Sequence, residues 1–211
     1  MNIIKRPFRY TNENIVFILI GLNILVYLAE LFLKGLPVIA TLSMIPLVVI
    51  RRGWIWQFVT YMFVHDPRSM THLLFNMFAL FMFGRRVERK MGSREFLLYY
   101  LLTGALAGIF SFFVYLFTGN PFIFLMGASG AVFAVQMAFA AFFPDSYIYI
   151  WGILPLRAPV MVLGFTAVEL FLMVSGRGGN VAHATHLAGF GFGWLYFIIR
   201  FGINPWRAMR R

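Results

Sequence analysis

The sequence predicts an all-α membrane protein in which six transmembrane helices form one bundle. Hydrophobic residues make up 61% of the 211 residues and charged residues only 12%, more apolar surface than a soluble domain of this size can bury. Apolar runs also recur between short polar gaps, and each should be a helix because backbone groups in lipid need partners within their own segment. The runs lie at residues 15–33, 71–84, 96–117, 127–143, 159–174 and 181–199.

The length favours a single domain over residues 1–211, with short tails at 1–13 and 203–211. Basic residues precede the first run as in a signal peptide. That run is too long for such a segment and no small-x-small cleavage site follows it, so we expect a retained anchor. The short tails favour a prokaryotic plasma-membrane protein. The chain has no cysteine, which excludes disulfides, thiolate metal sites and a cysteine nucleophile.

The net charge of +11 does not indicate nucleic-acid binding, because the basic residues lie in the gaps between apolar runs. Cytoplasmic loops of membrane proteins collect Lys and Arg. Placing both termini in the cytoplasm puts five basic residues outside (Lys34, Arg51, Arg52, Arg68, Arg177) and 13 of the 18 inside: Lys5, Arg6, Arg9, Arg85, Arg86, Arg89, Lys90, Arg94, Arg157, Arg200, Arg207, Arg210 and Arg211.

The outer segment 34–70 is long and rich in aromatic residues, including Trp54, Trp56 and Tyr61. Tryptophan and tyrosine favour the membrane interface. We therefore expect this segment to lie in the outer interface, with a poorly ordered loop as the alternative.

Polar residues of three predicted spans fall at a similar depth below the outer surface. His72 and Asn76 share a face of the second span, Ser129 begins the fourth, and His183 and His186 begin the sixth. Polar groups at such depth usually face a bundle interior or a water-filled cavity. These residues are therefore expected to converge.

Small residues give the fourth and sixth spans a way to approach each other closely. One stripe contains Gly130, Ala134 and Ala138, and the other contains Thr185, Gly189 and Gly193. Small residues at every fourth position allow close contact of membrane helices. Packing alone would explain the glycines equally well.

Close contact of these helices would bring Ser129 to His186, a nucleophile to its base. No acidic residue is expected nearby, because Asp145 and Glu88 are cytoplasmic, Glu169 is deep in the fifth span and Asp66 is in the outer segment. The sequence therefore predicts a Ser–His dyad. His72, the Asn76 amide and the Ser129 backbone N–H would stabilise an oxyanion.

A metal site is the alternative use of the histidines His65, His72, His183 and His186, since imidazole is a common ligand. No carboxylate is expected beside them, so neither a metal nor any other cofactor is predicted. A transporter is a further alternative, but the chain lacks the two related halves typical of that class.

Four motifs resemble those of the rhomboid family of intramembrane serine proteases, over nearly the whole chain. His72 and Asn76 fit an H-x-x-x-N element, and Gly127-Ala128-Ser129-Gly130 fits the G-x-S-G nucleophile motif. The stretch 182–189 is similar to the family's histidine motif, with His186 as base and Gly189 at the helix contact. Residues 84–92 resemble G-x-x-x-E-x-x-x-G, in which Glu88 braces the bundle.

The resemblance implies a six-helix bundle with a short, buried fourth helix. It also implies cleavage of transmembrane substrates that enter laterally from the bilayer. An inactive rhomboid-like protein that binds membrane clients is the alternative. Three positions depart from the family pattern: Gln57 stands where an arginine often provides an ionic brace, Phe133 can stack on the base but cannot hydrogen bond, and Thr185 replaces a common alanine.

Overall fold

The computed structural model describes residues 7–33, 37–150, 152–175 and 180–210, and most of these are helical. The helices are α1 (Ile15–Phe32), α2 (Val38–Leu42), α3 (Pro46–Arg52), α4 (Gln57–Thr60), α5 (Met70–Ala79), α6 (Arg85–Met91), α7 (Ser93–Phe117), α8 (Ser129–Phe142), α9 (Ala158–Ser175), α10 (Asn180–Tyr196) and α11 (Pro205–Met209).

Three of the described helices are long and apolar enough to cross a membrane: α1, α7 and α9. The second and sixth predicted spans correspond to longer helical runs that contain a π-helical turn, at Leu80–Gly84 and at Phe197–Phe201. The fourth corresponds to α8, which has only 14 residues. The chain is thus helical as predicted, while the count of six spans stays a prediction.

Helix α8 lies at the centre of the protein, and 11 of its 14 residues are buried. It packs between α7 and α10. The alanines and glycine of its predicted stripe, Gly130, Ala134 and Ala138, are all buried there. Because α8 is this short, its first residue, Ser129, lies inside the bundle.

The described part of the outer segment is folded. After α2 and α3, helix α4 continues into a 3₁₀ turn at Tyr61–Phe63. Gln57 is fully buried, and its side chain accepts a hydrogen bond from the Ile45 amide (3.1 Å) and donates to the carbonyls of Ala40 (3.1 Å) and Thr41 (3.2 Å). These hydrogen bonds between uncharged groups hold the segment together at Gln57, where the sequence predicted that an ionic brace is missing. Its place in the membrane interface stays a prediction.

A β-hairpin between α8 and α9 was not predicted. Its strands β1 (Tyr147–Ile150) and β2 (Leu154–Arg157) are antiparallel, with Tyr147 opposite Arg157 and Ile150 opposite Leu154. Tyrosine and isoleucine favour strands, so the alternation in β1 was a readable signal. The segment was instead interpreted as part of a cytoplasmic loop.

Candidate active site

The backbone before α8 is shaped by Gly127, whose φ of +113° favours glycine. Its amide donates to the Tyr61 carbonyl oxygen (3.0 Å), which ties this loop to the outer segment. A Cβ at this position would lie 2.7 Å from His72 Cε1. Gly127 therefore allows the His72 imidazole to rest directly against the chain two residues before Ser129.

Glycines also bring α10 against α8. A Cβ on Gly189 would overlap the carbonyl group of Gly130, and one on Gly193 would lie 3.1 Å from Ala134 Cα. The contact of the two small-residue stripes is therefore as close as the sequence predicted. It places His186 Nε2 2.7 Å from Ser129 Oγ, a hydrogen-bond distance.

Two further side chains fix the base. The Phe133 ring stacks on the His186 imidazole with centroids 4.7 Å apart and planes 6° from parallel. Thr185, the residue before the base, shares a hydrogen bond of 2.6 Å with Ser111 of α7. The bulk of Thr185 is thus accommodated at the helix contact by a specific polar partner.

His72 and Asn76 lie on α5 and face the same cavity as Ser129. The Asn76 Nδ2 atom donates to the His72 carbonyl oxygen (2.9 Å). This nitrogen carries two hydrogens, and that bond uses one of them. The Asn76 amide is therefore anchored one turn below His72, with its side chain at the cavity wall.

His65 of the outer segment is fully buried, and its ring lies 5.1 Å from that of His72. Burial, with a smaller effect from the neighbouring His72, lowers the pKa of His65 to about 3. His65 is thus a neutral packing partner of His72 at physiological pH.

The cavity has a volume of about 710 Å³. Its wall is mostly apolar and comes from α5 and the π-helical turn after it, from α8, α9 and α10, and from the hairpin. The polar residues that line it are His72, Asn76, Ser129, Gln136, Glu169 and His186.

Gln136, two helical turns below Ser129, was not predicted from the sequence to belong to the site. Within the residues that the structure describes, its buried Oε1 has no hydrogen-bond partner. Buried polar groups are normally paired. A buried amide oxygen at this wall therefore offers an acceptor to whatever fills the cavity.

The expectation that no carboxylate lies near the base was wrong. Glu169 Oε2 is 3.0 Å from His186 Nδ1 and 2.5 Å from His183 Nδ1. Glu169 is about 16 Å along α9 from Ala158 and about 9 Å from Ser175, at 1.5 Å per residue. It therefore lies in the half of α9 that reaches His186, and the rotation of the helix turns it inward.

These three side chains are also the group that could hold a metal ion among the described residues, since their ligand atoms lie within 4.8 Å of one another. The grouping differs from the four histidines considered from the sequence: it contains a carboxylate and excludes His65 and His72.

Carboxylates at the other end of the bundle have structural partners. Glu88 is buried and accepts hydrogen bonds from the Ile15 amide (2.7 Å), the Val16 amide (3.0 Å) and Ser93 Oγ (2.5 Å), so it caps the start of α1. The sequence placed Glu88 as a brace at this end. Glu95, which was not singled out, binds Arg200 through both of its oxygens.

The fold and the site define a helical membrane protein with a serine and a histidine in contact at the wall of a mostly apolar cavity. The Rhomboid domain matches residues 52–203 of the chain. The chain belongs to the rhomboid family.

Several relatives are named as proteases. The chain is similar to the rhomboid protease GlpG of Haemophilus influenzae, at 33% identity over 57% of this chain and 58% of that protein. It is similar to the rhomboid protease GluP of Bacillus subtilis, at 40% identity over 40% of this chain and 15% of that protein. It also resembles the chloroplastic Rhomboid-like protein 11 of Arabidopsis thaliana, at 34% identity over 62% and 42%. The chain thus matches less than two thirds of the length of each of these relatives.

Proposed function

We propose that this chain is an intramembrane serine endopeptidase in which Ser129 is the nucleophile and His186 the base. The observation that carries the proposal is the 2.7 Å distance between Ser129 Oγ and His186 Nε2 inside an apolar bundle. A serine hydroxyl attacks a peptide carbonyl only if a base accepts its proton during attack. His186 is placed to accept that proton.

The reaction has two halves. Ser129 Oγ bonds to the carbonyl carbon while its proton moves to His186 Nε2. The C–N bond then breaks as that proton passes to the leaving amine, which leaves an acyl ester on Ser129. A water molecule then gives a proton to His186 and attacks the ester carbon. The bond from that carbon to Ser129 Oγ breaks as the proton returns from His186 to Oγ, which releases the acid and restores the free serine.

The oxyanion of each tetrahedral intermediate would be stabilised from two sides. The Ser129 amide is in the first turn of α8, where backbone N–H groups have no intrahelical acceptor. His72 and Asn76 approach from α5. Preorganised donors in a site with little water are the strongest source of such stabilisation.

Membrane proteins are the proposed substrates, and they would enter laterally from the bilayer. The apolar wall of the cavity suits the side chains of a transmembrane segment. Such a segment must unwind locally to present a carbonyl, because a helix keeps its carbonyls hydrogen-bonded. We further propose six spans with both termini in the cytoplasm, which the distribution of basic residues supports.

The test is proteolysis by the purified protein of a panel of single-span substrates in liposomes. The native protein is compared with Ser129→Ala, and Ser175→Ala serves as the matched control because Ser175 is exposed at the end of α9. We expect cleavage by the native protein and the control only. Cleavage that persists in Ser129→Ala would refute the assignment. Substrate binding without cleavage by the native protein would favour a client-binding role.

A further inference from the structure

We infer that Glu169 is a positioning residue for the base, so that the site is a Ser129–His186–Glu169 triad rather than a dyad. This inference rests on the proposed function. Its structural basis is the contact of 3.0 Å between Glu169 Oε2 and His186 Nδ1, on the side of the imidazole opposite Ser129. The Glu169 side chain is only 17% exposed.

For catalysis, one ring nitrogen of His186 must carry a proton and the other must not. Nε2 has to present a lone pair to the serine hydroxyl, so the proton of the neutral ring must be on Nδ1. A carboxylate beside Nδ1 favours that tautomer. It also stabilises the imidazolium that forms when the ring takes the proton of Ser129.

No other described contact of the ring can do this. Phe133 touches only its face, and Ser129 occupies Nε2. The remaining ionisable groups around the base are His183 on its own helix and His72 on α5, and both would repel an imidazolium if protonated. Among the described residues around His186, Glu169 is therefore the one with an acidic side chain.

His183 holds the carboxylate in place. Its Nδ1 lies 2.5 Å from the same Glu169 oxygen that faces His186. The Glu169–His186 contact has the length of a hydrogen bond but is not aligned as one. Hydrogen bonds of a catalytic site often become aligned only when substrate binds.

The spacing of the three side chains favours proton sharing over metal binding. Two ligands of a tetrahedral zinc ion, each about 2.0–2.1 Å from the metal, are about 3.3 Å apart. Glu169 and His183 are 2.5 Å apart, which is a hydrogen-bond distance. A bound metal would also take His186 Nδ1 and leave the base unable to accept and pass on a proton through an imidazolium.

The decisive variant is Glu169→Gln, which keeps the size and shape of the side chain and removes its charge. We expect kcat for a cleaved substrate to fall about 100-fold or more, up to the roughly 10⁴-fold loss that follows when the acid of a serine-protease triad is changed. KM and the unfolding temperature should change little. The matched control is Leu170→Ala, since Leu170 is the neighbouring residue and is 50% exposed.

A role in packing alone would leave Glu169→Gln with kcat within about threefold of the native value, and that result would overturn the inference. Loss of native activity on treatment with a chelator would also overturn it, by assigning the three side chains to a metal ion. If the native protein cleaves no substrate, the proposed function fails first, so the two failures are distinguishable.

A second measurement reads the tautomer directly. In protein labelled with ¹⁵N-histidine, the neutral His186 ring of the native form should be protonated at Nδ1. Glu169→Gln should populate the Nε2-protonated form, because an amide can donate to Nδ1 as well as accept from it. An unchanged tautomer in this variant would contradict the inference.

Discussion

The contact of Gly189 with Gly130 sets the distance between Ser129 and His186, and Gly189→Ala tests its effect on the proposed catalysis. The new Cβ would lie 1.9 Å from the carbonyl oxygen of Gly130, 2.7 Å from its carbonyl carbon and 3.0 Å from its Cα. A carbon atom in contact with a carbonyl oxygen is normally about 3.3–3.6 Å away from it, so the helices must separate by about 1 Å or more. The backbone cannot rotate away as a side chain would. The 2.7 Å contact of Ser129 with His186 would then lengthen to about 3.7 Å.

We expect Gly189→Ala to lower kcat about 100-fold, since a misplacement of about 1 Å costs catalysis that much. Overpacking should also destabilise the protein by about 1–3 kcal/mol. Both are measured in detergent, by substrate cleavage and by thermal unfolding. Gly191→Ala is the matched control, because a Cβ there has nothing within 4 Å and alanine favours a helix. The reasoning is refuted if Gly189→Ala is as active and as stable as Gly191→Ala.

Two further predictions concern the outer segment. The pKa of His65 is about 3 in the folded protein and about 6.5 when unfolded, so between these values the unfolded chain binds a proton that the folded one does not. The contribution of the neutral His65 to the free energy of unfolding is therefore fully present above about pH 6.5. Below that pH the free energy of unfolding falls by up to about 1.4 kcal/mol per pH unit towards pH 3. Unfolding temperatures at pH 7 and pH 4.5 should differ less in His65→Phe than in the native protein, and an equal difference would contradict this. Gln57→Leu removes one hydrogen bond from each of three backbone groups, of which the Thr41 carbonyl keeps the Trp56 indole as a donor, and should destabilise the protein by about 1–3 kcal/mol. Thermal unfolding against the exposed control Ile55→Ala measures it, and equal stability of the two would exclude the brace.

The helices and the Ser–His contact could be predicted because each leaves a signal in local sequence. Apolar runs mark the helices, and glycine or alanine at every fourth position marks where two of them touch. The contact of Gly130 with Gly189 follows from that spacing. The π-helical turns at Leu80–Gly84 and Phe197–Phe201 have no such signal, because an extra residue in a turn depends on packing against neighbouring helices.

The contact of Glu169 with His186 was not predicted because the depth of Glu169 in the membrane does not show towards which side of α9 its side chain points. Met161, Phe165, Val168 and Glu169 all line the cavity, and their spacing of four, three and one places them on one face of α9. Apolar residues surround α9 on every side, however, so hydrophobic periodicity does not show which face turns inward.

Three glutamates of this chain show that the role of a carboxylate in an apolar helix can be inferred from the groups that it contacts. Glu88 binds the first amides of α1 and Glu95 binds Arg200, so both join elements of the fold to each other. Glu169 touches two histidines at the wall of a cavity, one of which is in contact with Ser129. Burial of a charge is costly unless it is paired, and a pairing that served only stability would not need to face the cavity. The position of Glu169 therefore follows from the chemistry of the cavity more readily than from the stability of the bundle.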